Sequence, residues 1–180
     1  CHIARPQVEY LGFNVGKNGC SMIEEYRQSV IDWPVPQSKK ELASYLGRTN
    51  YYRSFIHNFS DLTADLNKAK TREQTPWALS AQEIEQFHKI QAAFASSEGL
   101  SFPNYDDLRE NPFYLDLDFS KKGLSATLSQ NQICEDKVYR EKLLYNASRK
   151  APSELSVSGS HRGEISALMV GITQFRHLLL

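Results

Sequence analysis

Cysteine is scarce in this chain: Cys1, Cys20 and Cys134 are the only three among 180 residues. An odd, widely spaced set excludes a disulfide-stapled scaffold, and the five histidines do not pair with it at zinc-finger spacing. A reduced, intracellular protein is the simplest reading. Long apolar runs are missing too: no segment reads as a bilayer span or a signal peptide, so no membrane partner is expected. Nor is there an excess of charge of either sign. The 21 Lys+Arg balance the 21 Asp+Glu, which removes any global pull toward nucleic acid. Residues 1–75 carry 10 basic and 8 acidic side chains and residues 76–180 carry 11 and 13, so any basic surface must be local. There is no internal repeat and no low-complexity tract. What is present suffices for a core, since 41% of the residues are hydrophobic and the length suits one domain or two small ones. The chain opens on Cys1 and ends on Leu178-Leu179-Leu180, apolar and still helical in pattern. It reads as a segment of a longer polyprotein.

Local patterns divide the chain. Val8 to Val15 suits a strand, and Gly16 to Gly19 supplies hairpin-turn chemistry. From Ile23 the period becomes helical, with Ile23, Tyr26, Val30 and Ile31 on one face, until Trp33-Pro34-Val35-Pro36 stops it. Ser38 and Glu41 form a capping box, each satisfying a first-turn N–H, for a helix bearing Leu42, Tyr45 and Leu46. Ser60 is placed to cap a short helix carrying Leu62 and Leu66, and residues 71–76 look like a linker. Ser80 and Glu83 make a second capping box, opening a helix striped by Ile84, Phe87, Ile90 or Gln91, and Phe94. After a loop-rich stretch, strands are expected at 113–118, 123–130 and 142–147. A final helix from about 162 is expected to bury Ile165, Leu168, Met169, Ile172 and Phe175. The fold class is therefore α+β: a hairpin followed by helices, then a β-β-β-α segment.

Two carboxylates stand out. Along 113–118, Phe113, Leu115 and Leu117 point one way, and Tyr114, Asp116 and Asp118 the other. Asp118 ends the strand, where a side chain is held rigidly yet reaches solvent. Glu164 begins the last helix, on the border between core and surface. A strand Asp and a helix Glu brought together can start a two-Mg²⁺ site for phosphodiester cleavage. The plainer reading is a solvated strand end and a first-turn Glu stabilising the helix dipole. Farther back, Lys39, Lys40, Arg48, Tyr51, Tyr52 and Arg53 interleave charge and aromatics. They suit a sequence-independent grip on phosphates and sugars, and equally a core of Tyr45, Tyr52 and Phe55 with solvated basic neighbours. His57, His88 and His177 read as surface or packing residues.

Across essentially its whole length the chain resembles the Pol polyprotein of Gypsy-type LTR retrotransposons. Val8 to Phe13 is similar to the end of a reverse transcriptase palm with its primer grip. Ile31 to Pro36, Lys40 to Leu42, Leu46-Gly47, Asn50 to Ile56 and Asn58 to Ser60 resemble the thumb signature. Residues 77–103 resemble the connecting helix and the run beyond it. Leu117 to Ser120 with Gly123 and Leu128 to Gln130 resembles the first RNase H hairpin. Tyr145 to Arg149, Glu154, Gly163-Glu164 and Phe175 to His177 resemble its third strand and first helix. No single motif is specific; together they are. The chain departs at Phe119, where a small residue is usual, and at Lys121, where a polar or acidic one is.

The resemblance implies palm hairpin at 1–20, thumb helices at 21–75, connector at 76–107 and the first, incomplete half of an RNase H-like domain at 108–180. It implies Asp118 and Glu164 as catalytic, Mg²⁺-binding carboxylates, with Asp116 in support behind them. Two further RNase H carboxylates and the polymerase aspartates are expected outside residues 1–180, so this segment alone is expected to be inactive or nearly so. Lys39, Lys40, Asn50 and Arg53 are the implied nucleic-acid contacts. The implied partners are an RNA–DNA hybrid or DNA template–primer and the rest of the polyprotein. The implied location is the cytoplasm, including virus-like particles, and the nucleus. The parent activity would be RNA-directed DNA synthesis and cleavage of RNA in hybrids. The alternative is a non-catalytic, domesticated or degenerate nucleic-acid-binding module. Tyr105-Asp106-Asp107 lacks the intervening residue of the polymerase Tyr-x-Asp-Asp motif and reads as a solvated turn.

Overall fold

A computed structural model describes residues 5–73, 75–106, 108–134, 138–152 and 160–179. Glu154 and Asp107 lie outside the described residues. The first unit begins with an antiparallel sheet, β1 (Gln7–Tyr10), β2 (Phe13–Gly16), β3 (Gly19–Met22) and, from far along the chain, β4 (Leu100–Ser101), in that spatial order. The single strand expected from Val8 to Val15 is in fact two. Leu11 (φ 47°) and Gly12 (φ 82°) form a two-residue turn, and two consecutive positive φ values are what a type I′ hairpin requires. The Tyr51 hydroxyl donates to the Leu11 carbonyl and that of Tyr52 to the Gly12 carbonyl, the latter at 2.9 Å. A leucine is thus held in a conformation its sequence position does not announce.

Helices α1 (Glu24–Ile31), α2 (Lys39–Tyr51), α3 (Phe59–Thr71) and α4 (Ala81–Ala95) follow, with a 3-10 turn at Arg53–Phe55. Ser38 caps α2, accepting from the Glu41 N–H at 3.2 Å, while the Glu41 carboxylate accepts from the Gln37 N–H at 2.8 Å. The Ser80–Glu83 box is complete in both directions, at 3.3 and 2.7 Å. Ser60 is not a cap: α3 starts two residues earlier than a Ser60 cap would place it, with Asn58 (φ 49°) at its N-cap, and the Ser60 hydroxyl is used elsewhere. The core of this unit joins Val30, Leu42, Tyr45, Leu66, Phe87, Ile90 and Phe94, all essentially inaccessible to solvent. Gln91 closes α1, its Nε2 donating to the Ile31 and Trp33 carbonyls at 2.7 and 2.9 Å.

The second unit is β5 (Phe113–Phe119), β6 (Gly123–Ile133), β7 (Tyr139–Lys150) and α5 (Ser160–Leu179), with the strands antiparallel in sequence order. The expected β-β-β-α order is present. Which side of α5 is buried is not as expected. Gly163, Ala167, Val170, Gly171 and Phe175 face the sheet, whereas Ile165, Leu168, Met169 and Ile172 are exposed, Ile165 by 61%. Small residues win because they let the helix backbone approach. A Cβ on Gly171 would lie 3.1 Å from Ala126 and from Leu115, and one on Gly163 would clash with the edge of the Phe119 ring. Leu117 is likewise 37% exposed, while Phe113 and Leu115 pack under α5.

Alternation along the strands gives the sheet two characters. Leu124, Ala126 and Leu128 of β6 lie under α5, and Ser125, Thr127 and Ser129 point the other way. That polar face rests on the helical unit. Ser60 meets the Ser148 hydroxyl at 3.1 and 3.2 Å, Asn146 Nδ2 donates to the Ser54 carbonyl at 3.2 Å, and His57 Nδ1 lies 3.1 Å from Thr127 Oγ1. Lys122 reaches Asp65 at 2.7 Å, and the Ser120 hydroxyl donates to Asp61.

Candidate nucleic-acid interface

Asp118 is the penultimate residue of β5, paired in register with Ser125, and is exposed. Its side chain therefore shares the polar face turned to the helical unit. Asn58, at the start of α3, donates from Nδ2 to Asp118 Oδ2 at 2.7 Å, and its Oδ1 accepts from the Ser125 hydroxyl. The left-handed backbone at Asn58 is tolerated because a short polar side chain can bond locally. Glu164 stands in the first turns of α5, exposed, with His161 Nδ1 3.8 Å from its carboxylate. Phe119 follows Asp118 and packs against Gly163, which precedes Glu164. The two carboxylates thus belong to neighbouring elements at one end of the sheet, but Asp118 is on the face turned to the helical unit and Glu164 is on the helix that covers the other face. Asp116 is exposed on the Asp118 side. Among the described residues no three His, Cys, Asp or Glu side chains gather closely enough to hold a metal.

The basic candidates do not form one cluster. Lys39 and Lys40 open α2 and Asn50 stands near its end, a separation of roughly 15 Å at the helical rise per residue. Asn50 Oδ1 accepts from Arg53 Nη1 at 3.5 Å, and Arg53 Nη2 also donates to the Ser148 carbonyl, so Arg53 ties the two units together. Asn50 and Arg53 line a groove of about 750 Å³ between α2, α3 and the sheet; Lys39 and Lys40 do not. The aromatics pack against the hairpin, Tyr51 while remaining half-exposed. Phe13 stacks on Tyr51 at 5.4 Å, and Tyr52 is buried. Burial, with Tyr51 and Tyr26 nearby and Arg48 opposing, pushes the Tyr52 hydroxyl up to about 12. Arg48 itself lies over the Tyr26 ring at 4.7 Å and donates to the Ser29 hydroxyl at 2.9 Å.

Tyr105 is exposed and donates its hydroxyl to the Leu178 carbonyl at 3.1 Å, which suits a surface turn. His88 and His177 are not buried in the core. No helix among the described residues is long and apolar enough to cross a membrane.

Residues 79–180 match the family described as the RNase H-like domain found in reverse transcriptase. The chain belongs to this family. The Pol polyprotein of the transposon opus from Drosophila melanogaster, named as retrovirus-related, is 30% identical over 146 residues, covering 76% of this chain and 14% of its own length. The Tf2-3 transposon polyprotein of Schizosaccharomyces pombe is 26% identical over 179 residues, 99% of this chain and 13% of that protein. The chain thus spans a small fraction of these relatives. Its fold is similar to the foamy viral protease-reverse transcriptase solved with an RNA/DNA hybrid, with a TM-score of 0.71 at 20% identity, covering 95% of this chain and 22% of that one. A second foamy viral structure, solved with dsDNA, gives 0.66 at 21% identity, over 97% of this chain and 33% of that one.

Within this RNase H-like domain, Gln130 is a structural support that sequence alone presents only as part of a motif. Fully buried, it donates to the Asn104 and Asn111 carbonyls at 2.8 and 3.0 Å and accepts from the Asn104 N–H at 2.9 Å, pinning the loop before β5. Asn58 likewise reads only as thumb signature. Its hold on Asp118 spans 60 residues of sequence, which no local spacing signals.

Proposed function

We propose that this chain is the palm-end hairpin, thumb, connector and opening of the RNase H-like domain of a retroelement reverse transcriptase. In the parent polyprotein it grips an RNA–DNA hybrid or DNA template–primer, in the cytoplasm, including virus-like particles, and in the nucleus. The observation that carries this reading is the docking of the helical unit on the sheet face that bears Asp118, so that α2, α3 and the strand end form one continuous surface. Asn50 and Arg53 supply donors for phosphates from that surface, and Lys39 and Lys40 supply them from the start of α2. Titrating the chain into a fluorescein-labelled hybrid should give salt-dependent anisotropy. Lys39→Gln and Lys40→Gln together should lower the slope of log affinity against log salt by about 1–2. Absence of hybrid binding by the folded chain would sink the reading.

Asp118 and Glu164 are the carboxylates we assign to Mg²⁺, which when bound neutralises charge developing on a phosphate. Their oxygen donors suit a hard cation. As arranged, however, the Asp118 side chain is on the sheet face turned to α3 while Glu164 is on α5, which covers the other face, Asp118 is engaged by Asn58, and no third ligand joins them among the described residues. No cleavage step is therefore assigned to this chain, and it is expected to bind hybrid while leaving the RNA strand uncut.

A second reading, a non-catalytic nucleic-acid-binding module, is favoured by that same Asn58–Asp118 contact. The two separate in the longer polyprotein. Cleavage of a labelled RNA strand that Asp118→Asn abolishes supports the enzyme; intact hybrid binding without cleavage supports the module.

A further inference from the structure

The groove that Asn50 and Arg53 line is more cationic than the rest of this electrically neutral chain. Helix α3 contributes Lys68 and Lys70, the β5–β6 turn contributes Lys121 and Lys122, and the end of β7 contributes Arg149 and Lys150. Among the described residues no carboxylate lines it. Asp65, just outside, is shared by Lys68 at 3.2 Å and Lys122 at 2.7 Å. Lys70, Lys121, Arg149 and Lys150 form no ion pair among the described residues, and the last three are exposed. Gathering this many like charges in one concavity is unfavourable unless a polyanion offsets them.

The walls say which part of a polyanion fits. Ala43, Gly47 and Ala64 keep the helical wall low, and nothing lies within 4 Å of where a Gly47 side chain would begin. The aromatic among the described lining residues, Phe59, is only 3% exposed, so no ring is offered there for a base to stack on. Charge without a stacking platform reads phosphates and not bases. The walls also come from both units: α2 and α3 on one side, the β5–β6 turn and β7 on the other. The groove exists only while they are docked.

We propose that this groove is a phosphodiester channel, holding one nucleic-acid strand by its backbone across both units and thereby stabilising their docked arrangement. The inference rests on the nucleic-acid reading above and adds to it a set of residues, from three elements, that lies apart from Lys39 and Lys40. Binding is sequence-independent, and an occupant that touches both units raises the stability of the docked state by mass action.

The test is anisotropy of a fluorescein-labelled RNA–DNA hybrid with the full chain over a salt series. It compares the wild type, the groove variant Lys121→Gln/Arg149→Gln/Lys150→Gln, and a remote control, Lys17→Gln/Lys89→Gln/Arg176→Gln. Every phosphate interaction removed should reduce the slope of log affinity against log salt by about 0.9, so the groove variant should drop by roughly 2–3 units of slope and at least about tenfold in low-salt affinity. The control should change little, and scrambling the hybrid sequence should alter neither. The hybrid-induced rise in melting temperature should shrink in the groove variant alone. If the wild type binds and the groove variant matches it in slope and affinity, the channel is overturned while hybrid binding by the chain stands. If the folded wild type binds neither hybrid nor heparin, both the channel and the nucleic-acid reading fall.

Discussion

Asn58 connects the two halves of this molecule through its side chain and has a second role through its backbone. Its backbone starts α3 in a left-handed conformation, and its amide spans Asp118 and Ser125. These roles separate by substitution. Asn58→Gly keeps the backbone at no steric cost and removes only the side-chain bonds, so it should destabilise by about 1–2 kcal/mol. Asn58→Ala also forces a Cβ into the left-handed region and should cost about 1 kcal/mol more. Urea unfolding of both variants checks the order, and equal losses would mean the backbone carries no strain. Gly163 poses the opposite problem. Exchanging a helical glycine for alanine ordinarily gains about 1 kcal/mol. Here the new methyl would clash with the edge of the Phe119 ring, so Gly163→Ala should instead destabilise by about 1–2 kcal/mol. Placing it in a Phe119→Ala background should remove that penalty, and a thermal melt of the double variant reads the coupling.

Among the elements, α4 has the best-anchored start. Glu83 accepts from the Ser80 N–H at 2.7 Å and from Arg72 at 2.8 and 3.2 Å, and Arg72 also reaches the Ala78 carbonyl at 2.7 Å. Burial alone would raise the Glu83 carboxyl. The Ser80 N–H, the Arg72 guanidinium and the Ser80 hydroxyl outweigh it and hold the group below the ordinary carboxylate value. A carboxyl depressed by folding gives stability that is complete above its unfolded pKa of about 4.3 and is lost as pH falls through the lower folded value. Urea midpoints measured down the acid limb should therefore fall less steeply for Glu83→Gln than for the wild type, and Ser80→Ala should cost about 1 kcal/mol at neutral pH. The Ser38 and Ser80 caps are legible in the sequence because a cap reaches only three residues ahead, although Glu41 closes back on the Gln37 N–H and not on that of Ser38, so only the Ser80–Glu83 box is reciprocal. The side of α5 is not. Its sequence holds two candidate faces, a bulky one of Ile165, Leu168, Met169 and Ile172 and a small one of Gly163, Ala167 and Gly171. Periodicity counts apolar bulk and so chooses the first, while close packing on the sheet chooses the second. The strand that delivers Asp118 is legible from alternation. Its partner Asn58 and the cations of the groove are not, because they converge from elements tens of residues apart.

At the scale of the whole molecule, what joins the helical unit to the sheet is mainly a field of hydrogen bonds. Ser54, His57, Asn58, Ser60 and Asp61 meet Asn146, Thr127, Ser125, Ser148 and Ser120. Interfaces this polar resemble those between domains that move, since separation returns each group to water at modest cost. Two kinds of link hold it, and they respond differently to salt. The Asp65–Lys122 pair is substantially exposed on both sides, so a double-mutant cycle with Asp65→Asn and Lys122→Gln should give about 0.2–1 kcal/mol at low salt and nearly nothing at high salt. The Ser60–Ser148 bond joins a half-buried to a buried hydroxyl. Its cycle with Ser60→Ala and Ser148→Ala should give about 0.5–1.5 kcal/mol, unchanged by salt. Were the units to swing free in solution, both couplings would vanish together, because each is made only across the docked face. Persistence of the serine coupling at high salt, after the ion pair has been screened away, would mean that the Asp118 face stays against α3 without the ion pair.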